Sequence, residues 1–382
     1  MMKNTQENAT TKYDAQAKEA ELQAQSAQWN ESIPAHPQVA QAGVDFPVVN
    51  VSKWFASGCQ DDDELRRLGR QLQEACERVG FYQLVGHGIS RQVTDEILTS
   101  TRDFHALDTT TKLAIQMDRP DHPVGGVGFL GYGNHKLPKR STSNQNASFL
   151  VKKDHRIGFE DNQWPPGRPN FRTTVEKYGG IMTGLAKKVL PIYAVALDLP
   201  KPKEYFDDAF QEPFYRLRLS HYPPMNTEAT TNNTNESENP AAAVASRSSK
   251  QQSFGISPHV DTSFMTLLLT DGTPGLTFYS HPRKEWIQMP PMTPTTKEEA
   301  EEVPLIINTG ELLRQWSNDR FLSVRHFVSP PLETHRYSVI CFLTAHSDYS
   351  MTCFPTCCNT TTNPPKYPPF SYNQSQGVVQ GE

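Results

Sequence analysis

The last third of the chain combines apolar, strand-like segments with a few polar residues, and this pattern constrains the fold more than any other feature. Residues 264–269, 303–307 and 337–343 are rich in leucine, β-branched and aromatic side chains. Runs of this length and composition predict buried β-strands. Five polar residues lie within or beside these segments: His259, Asp261, His326, Arg336 and Ser338.

The first two polar residues are separated by Val260 alone. Alternate side chains of a strand point to opposite faces, so His259 and Asp261 are expected on one face. Two histidines and one carboxylate on one side of a metal form the facial triad that holds non-haem Fe(II) and leaves positions open for oxygen and substrate. With His326 as the second histidine, the sequence predicts an Fe(II) site.

The other two polar residues follow His326 by ten and twelve positions. The planar guanidinium of Arg336 can receive a carboxylate through two N–H donors, and the hydroxyl of Ser338 can add another donor. The pattern therefore indicates a carboxylate-bearing ligand beside the metal, which is the arrangement of an oxygenase.

Each residue also has a purely structural interpretation. A single histidine in a strand is most often a satisfied core residue, and H-x-D occurs often by chance. Arg336 would have a structural partner if it paired with Glu333. The order of the three ligand types, the R-x-S spacing and the strand context together favour the metal site.

These motifs resemble those of the 2-oxoglutarate/Fe(II)-dependent dioxygenase superfamily, in the branch that contains isopenicillin N synthase and the plant flavonoid and gibberellin oxygenases. The resemblance covers about residues 46–349. At two positions the chain departs from the family pattern, because Gly86 and Ser220 stand where asparagine is usual. Five segments carry the resemblance. Residues 46–51 resemble the family's opening strand, and residues 80–89 resemble its G-F-F-x-x-x-N-H-G-I motif. Residues 162–165, 169–172 and 216–223 resemble its N-x-W-P element, its P-x-F-R element and its N-Y-Y-P strand.

The resemblance implies a reaction and a set of ligands. Fe(II) is held by the predicted triad, and 2-oxoglutarate and O2 are the co-substrates. Arg336 and Ser338 are expected to bind the distal carboxylate of 2-oxoglutarate, and Tyr222 is expected to add a hydrogen bond to the same co-substrate. The implied reaction is oxidation of an unactivated C–H bond of a small organic molecule, with hydroxylation as the commonest outcome, and no catalytic side chain is expected beyond the metal centre.

Two alternatives stay open at this stage. Oxidases such as isopenicillin N synthase share the same motifs without consuming 2-oxoglutarate, and their arginine holds a different carboxylate. A jelly-roll that binds a ligand without catalysis is the second alternative, although an inactive descendant is expected to lose at least one metal ligand.

Helical periodicity dominates the first half of the chain. Apolar residues recur at helical spacing over residues 61–79, further helices are predicted near 91–104 and 171–197, and a strand is predicted over 81–85. Helices followed by strands indicate an α+β fold with helices packed on one side of a β-rich core. The core is expected to be a double-stranded β-helix, or jelly-roll, whose facing sheets leave a mouth open for a metal and a small ligand.

Composition divides the chain into four parts. We expect a disordered arm over residues 1–44, an N-terminal region of helices and strands over 45–205, a jelly-roll domain over 206–349 and a tail over 350–382. A polar, low-complexity insert occupies residues 226–253 within the jelly-roll domain.

Charge and hydropathy exclude several classes of partner. A net charge of −5 and a pI near 6.2 give no basic surface for nucleic acid or an anionic membrane. No apolar run is long enough to span a bilayer, and the first residues lack the apolar core of a signal peptide. We expect a cytoplasmic monomer that acts on a small molecule. The low-complexity insert and the divergent tail favour a specialised role such as secondary metabolism.

Overall fold

Strands from both halves of the chain build two β-sheets in the computed structural model, which describes residues 33, 37–40, 46–133, 144–225, 253–290 and 300–375. The helices are α1 Ser52–Ala56, α2 Asp62–Arg78, α3 Arg91–His105, α4 Thr109–Leu113, α5 Pro169–Ala196, α6 Glu311–Trp316 and α7 Tyr372–Ser375. The strands are β1 Gln38–Val39, β2 Val48–Asn50, β3 Phe81–Val85, β4 Gly128–Leu130, β5 Ala147–Lys153, β6 Tyr215–Tyr222, β7 Ile256–His259, β8 Met265–Thr270, β9 Leu276–Ser280, β10 Glu285–Gln288, β11 Leu305–Thr309, β12 His326–Val328 and β13 Arg336–Leu343.

The larger sheet contains eight of these strands, in the order β2-β3-β11-β8-β13-β6-β5-β4. The smaller sheet contains five, in the order β1-β10-β9-β12-β7. Apart from β1 with β10 and β2 with β3, the strand pairs of the described chain are antiparallel. Strands β11, β8, β13 and β6 form the centre of the larger sheet.

Side-chain alternation divides the larger sheet into two apolar faces. On β8 and β13, Leu268 and Ile340 pack in one cluster with Leu276 and Phe278 of the smaller sheet. Their sequence neighbours point the other way and join a second cluster that includes the helices α2, α3 and α5. The two sheets therefore face each other across one core, and the helices cover the outer face of the larger sheet.

Helix α2 shows how local sequence sets an element boundary. The Asp61 side chain accepts hydrogen bonds of 3.0 Å from the backbone N–H groups of Asp63 and Glu64, which is an N-cap. Acidic residues fill the first turn, where the helix dipole favours negative charge. The helix packs against α5 at Gly69, where a β-carbon would lie 2.7 Å from Cβ of Val195.

The α+β fold with a jelly-roll core and helices on one side is confirmed, and the predicted helices and the 81–85 strand are present within one or two residues of the expected bounds. Within the segment predicted to be a disordered arm, the described residues 37–40 include the strand β1. Gln38 and Val39 pair in parallel with Ile287 and Gln288, because the edge of β10 offers backbone partners. Most of the predicted arm, and the 226–253 insert except its last residue, lie outside the described residues.

Residues of the predicted tail pack on the body of the protein as far as α7. Phe370 and Met351 exchange backbone hydrogen bonds, and Tyr372 stacks on Phe214 with ring centroids 4.4 Å apart. Across the described ranges, no helix is both long and apolar enough to cross a bilayer.

Candidate metal centre

Two strands of the smaller sheet bring the predicted histidines together. His259 ends β7 and His326 begins β12, and the two residues are directly paired across these antiparallel strands. Their ring centroids are 4.3 Å apart. Asp261 lies two residues beyond the end of β7, in the turn before β8, and its side chain still reaches the histidines.

The three side chains converge on one point. Nε2 of His259 lies 3.5 Å from Oδ1 of Asp261, and Nε2 of His326 lies 3.6 Å from the same oxygen. One ligand atom from each residue fits within 4.8 Å of the other two. A metal ion at this point would meet two nitrogens and one carboxylate oxygen.

Backbone carbonyls orient both imidazoles. Nδ1 of His259 donates to the carbonyl of Ser257 at 2.9 Å, and Nδ1 of His326 donates to the carbonyl of Val324 at 3.0 Å. An Nδ1–H that is used in this way leaves the Nε2 lone pair free. Such a hydrogen bond on the second nitrogen is the usual support of a metal-bound histidine.

Two further residues orient the carboxylate. Oδ2 of Asp261 accepts a hydrogen bond of 2.7 Å from Oγ1 of Thr266 and one of 2.8 Å from Nδ2 of Asn308. Because Oδ2 is occupied, Oδ1 is the oxygen that faces the histidines. The inward-facing donors on β8 and β11 therefore fix the rotamer of the carboxylate.

The charges of the cluster suit a divalent cation. Burial lowers the pKa of His326 to about 4, so its imidazole is neutral at pH 7, which is the form that binds a metal. Burial alone would raise the pKa of Asp261, but the adjacent histidines and the bond from Asn308 hold it below its ordinary value. A buried carboxylate beside two imidazoles, of which that of His326 is neutral, matches the donor set of a facial triad.

The predicted carboxylate-binding residues line the same cavity as the triad. Arg336 begins β13 opposite Tyr222 of β6, with the guanidinium carbon 4.8 Å from the tyrosine ring centroid. Nε of Arg336 donates to the carbonyl of Thr273 at 3.1 Å. Glu333 forms no ion pair with Arg336, although both lie in the described part of the chain, so the structural interpretation of this arginine lacks its partner.

Two buried donors in this cavity are unused. Nη1 of Arg336 and Oγ of Ser338 have no hydrogen-bond partner among the residues that the structure describes. Burying polar groups without partners is unfavourable, and Arg336 is only 1% exposed. A ligand carboxylate would satisfy both groups, so the residues present fit the predicted co-substrate.

Sequence reasoning missed Asn308, Thr266 and Arg218, which also line the cavity. The available signal was a polar residue at an inward-facing position of an otherwise apolar strand, as in the segments LIINT and MTLLLT. Neither motif nor spacing distinguishes such a residue from a buried structural one, so the signal was weak.

Comparisons with known proteins agree with this geometry. The family model described as "non-haem dioxygenase in morphine synthesis N-terminal" matches residues 46–168, and the model of the "2OG-Fe(II) oxygenase superfamily" matches residues 216–345. The second match contains every residue that lines the cavity except Phe81, which lies in the first.

Two fungal relatives illustrate the sequence similarity. The chain is 26% identical to the 2-oxoglutarate-Fe(II) type oxidoreductase hxnY of Emericella nidulans, over 87% of this chain and 91% of the relative. It is 29% identical to the 2-oxoglutarate-dependent dioxygenase citB of Monascus ruber, over 80% of this chain and 86% of the relative.

Solved structures share the fold. The JOX2 structure in complex with 2OG, Fe and JA aligns with a TM-score of 0.66 and 22% identity, over 91% of this chain and 87% of that one. The structure of the dioxygenase for auxin oxidation in rice aligns with a TM-score of 0.61 and 20% identity, over 87% of this chain and 94% of that one.

Proposed function

Because this chain belongs to the 2-oxoglutarate/Fe(II)-dependent oxygenase superfamily, we propose that it hydroxylates an unactivated C–H bond of a small organic molecule. It is an oxidoreductase with Fe(II), 2-oxoglutarate and O2 as its cofactor and co-substrates. The observation that carries the proposal is the single cavity in which a histidine–aspartate–histidine cluster faces an unsatisfied buried arginine and serine.

We propose that the metal ligands are His259, Asp261 and His326. The convergence of their ligand atoms, the neutral state of His326 and the hydrogen bonds on the remaining polar atoms support this assignment. Three protein ligands on one side would leave other positions of a bound Fe(II) open for co-substrate and oxygen.

We propose that Arg336 and Ser338 bind the distal carboxylate of 2-oxoglutarate. Their free donors lie on neighbouring inward-facing positions of β13, so one carboxylate can reach both. Tyr222 lies beneath the guanidinium and supports it through its ring, and its hydroxyl is proposed to contact the same co-substrate.

The protein's part in the reaction is to bind, orient and exclude water. When bound, Fe(II) with 2-oxoglutarate and O2 supplies the oxidation of the substrate C–H bond. Asn308 and Thr266 keep the Asp261 carboxylate pointed at the metal position. The apolar wall that includes Phe81, Leu268 and further residues of both sheets keeps the cavity poorly hydrated.

We also propose that residues 45–205 and 206–349 are two regions of one catalytic unit that works as a monomer. In support, strands β2 to β5 from the first region complete the sheet that carries β6, β8, β11 and β13 of the second. The fungal origin of several relatives supports a role in secondary metabolism.

The decisive experiment measures metal content and co-substrate turnover together. The full chain should retain Fe(II), and consumption of 2-oxoglutarate and O2 should release succinate. His259→Ala removes one of three protein ligands and should lose both iron and turnover. His155→Ala is the control, because His155 belongs to an exposed cluster with His346 and Asp348 that offers similar ligand atoms.

Two results would contradict the proposal. Iron content near that of the wild type in His259→Ala would show that the metal binds elsewhere. Oxygen consumption without loss of 2-oxoglutarate would favour the oxidase alternative.

A further inference from the structure

Strand β7, which carries His259, lies at an edge of the smaller sheet. Within the described residues it has a neighbouring strand on one side only, namely β12. An edge strand leaves backbone N–H and C=O groups without ladder partners. The placement of the candidate metal ligand His259 therefore depends on contacts from outside the sheet as well as on the ladder.

An irregularity in β7 sets the direction of His259. Between the pairs that β7 forms with β12 at Ile256 and at His259, three steps along β7 oppose two steps along β12. One extra residue of this kind is a β-bulge, which redirects the side chains around it. As a result Ile256 and His259, although three residues apart, both line the candidate metal cavity. The bulge lies at the two residues between them, Ser257 and Pro258.

The Asn144 side chain holds the bulge at Ser257. Its Oδ1 accepts a hydrogen bond of 2.8 Å from the backbone N–H of Ser257 and one of 2.7 Å from Oγ of the same residue. Both residues are buried. The next residue, Gln145, donates its backbone N–H to the carbonyl of Phe254 at 2.8 Å. Residues 144–145, which directly precede β5, therefore connect the start of β7 to the larger sheet.

Ser257 connects Asn144 to the candidate metal ligand. The carbonyl of Ser257 accepts the hydrogen bond of 2.9 Å from Nδ1 of His259, and this bond leaves the Nε2 lone pair free for a metal. A rotation of Ser257 would move that carbonyl and the imidazole bonded to it. Asn144 is not among the described residues that line the cavity, so its effect on the imidazole is exerted through Ser257.

The second histidine of the cluster is held differently. His326 begins β12, which lies between β9 and β7 and pairs with both strands. Its backbone is therefore fixed by ladders on two sides, whereas His259 has one ladder that is interrupted by the bulge. This difference explains why a side-chain partner matters more for β7 than for β12.

We propose that Asn144 is a positioning residue of the metal centre, which holds the bulge at Ser257 so that Nε2 of His259 points at the metal position. The proposal rests on the proposed function, because it requires His259 to be a metal ligand. An amide oxygen suits this role, since it accepts both hydrogen bonds and adds no charge beside the cluster. Without it the buried N–H and hydroxyl of Ser257 lose this acceptor, and β7 is expected to shift until they find another.

The test measures metal affinity and fold stability separately in the full chain. Fe(II) affinity is measured without oxygen by competition with a chelator, and the absorption spectrum of the Co(II)-substituted protein reports the geometry around the metal. Denaturant unfolding of the metal-free protein reports stability. The variants are Asn144→Ala, Asn144→Asp and Ser257→Ala.

Asn162→Ala is the matched control. Asn162 is also buried and also bonds to backbone groups, namely the N–H and the carbonyl of Lys152, each at 2.8 Å, and the carbonyl of Gly158 at 2.9 Å. None of these bonds reaches β7. Asn162→Ala should therefore lower stability, as Asn144→Ala does, but should keep the Fe(II) affinity and the Co(II) spectrum of wild type.

Asn144→Ala should weaken Fe(II) binding about tenfold, which is the lower end of the range for a partner behind a metal ligand, and should change the Co(II) spectrum. Asn144→Asp should recover most of the affinity, because a carboxyl oxygen accepts the same two hydrogen bonds. Ser257→Ala removes only the hydroxyl partner and should cause a smaller loss, about threefold. If Asn144→Ala does not fold, this loss in Ser257→Ala, with the recovery in Asn144→Asp, decides the matter.

Three results would overturn the proposal and leave the proposed function intact. The first is that Asn144→Ala and Ser257→Ala bind Fe(II) as tightly as wild type. The second is that Asn162→Ala loses as much Fe(II) affinity as Asn144→Ala, which would make the loss a general effect of stability. The third is that Asn144→Asp binds as weakly as Asn144→Ala, which would show that the accepted hydrogen bonds are not the cause.

A further measurement separates this proposal from the proposed function. His259→Ala is assayed in the same way and should lose Fe(II) binding. Fe(II) affinity near that of wild type in His259→Ala would show that the histidine is not a ligand, and it would overturn both proposals together.

Discussion

Asn308 donates a hydrogen bond of 2.8 Å to Oδ2 of Asp261, and this bond determines which carboxylate oxygen faces His259 and His326. The two residues lie on different segments and are far apart in the sequence. The amide therefore acts as a positioning group for a candidate metal ligand.

Removing this amide should weaken the metal site without unfolding the protein. Asn308→Ala leaves Asp261 free to rotate, so we expect iron affinity to fall roughly 10- to 100-fold, as is typical for loss of a partner behind a metal ligand. Iron affinity is measured by competition with a chelator. Asn170→Ala, at an exposed position of α5, should match wild type, and an equally tight site in Asn308→Ala would show that Thr266 alone suffices.

The co-substrate site should depend on the shape of Arg336 as well as its charge. Arg336→Lys keeps the charge but loses the planar fork, so it should raise the KM for 2-oxoglutarate and leave iron binding intact. Arg336→Ala should cost on the order of 2–5 kcal/mol of 2-oxoglutarate binding, and Ser338→Ala about 1 kcal/mol. Anaerobic titration that follows the charge-transfer band measures both losses, and an unchanged affinity in Arg336→Ala would favour the oxidase alternative.

Acid should destabilise the fold partly through His105. This residue of α3 is buried, its Nε2 lies 3.1 Å from the carbonyl oxygen of Leu219, and burial lowers its pKa from 6.5 to about 3. The unfolded chain then binds a proton that the folded chain does not, so stability is full above about pH 6.5 and falls as the pH drops towards 3.

The slope of the unfolding free energy against pH shows whether His105 causes this loss of stability. One such proton lowers the free energy of unfolding by about 1.4 kcal/mol per pH unit within that window. Denaturant unfolding at a series of pH values should give a shallower slope for His105→Gln than for wild type. The slope should not vanish, because burial also lowers the pKa of His221 and of His326 to about 4.

Two glycine substitutions should change stability in opposite directions. Gly69 of α2 approaches Val195 so closely that a β-carbon would clash, so Gly69→Ala should lower the free energy of unfolding by about 1–3 kcal/mol. Gly184 lies on the exposed side of α5 with open space around it, so Gly184→Ala should raise that free energy by about 0.5–1 kcal/mol. Thermal unfolding of the two variants measures both, and a stabilised Gly69→Ala would show that α2 and α5 can move apart.

Local sequence determined the elements and the chemistry of the site. The periodicity of residues 61–79 and the acidic residues at its start predict α2, because helix formation and capping depend on neighbours within one or two turns. The H-x-D pair and the R-x-S pair could be recognised in the sequence as readily as α2, because groups that bind metals and carboxylates need specific residue types at short spacing. The structure places them in one cavity.

Only the tertiary structure decided what surrounds those residues. The orientation of Asp261 depends on Asn308, the position of Arg216 opposite Lys152 depends on the pairing of β5 with β6, and the order at Gln38 depends on the distant edge of β10. Each of these contacts joins segments that are remote in the chain, and none leaves a periodic trace in the sequence. The sequence therefore indicated the candidate groups for the chemistry, and the non-local strand pairing determined where each group points and what charge it meets, because those properties arise only when the sheets close.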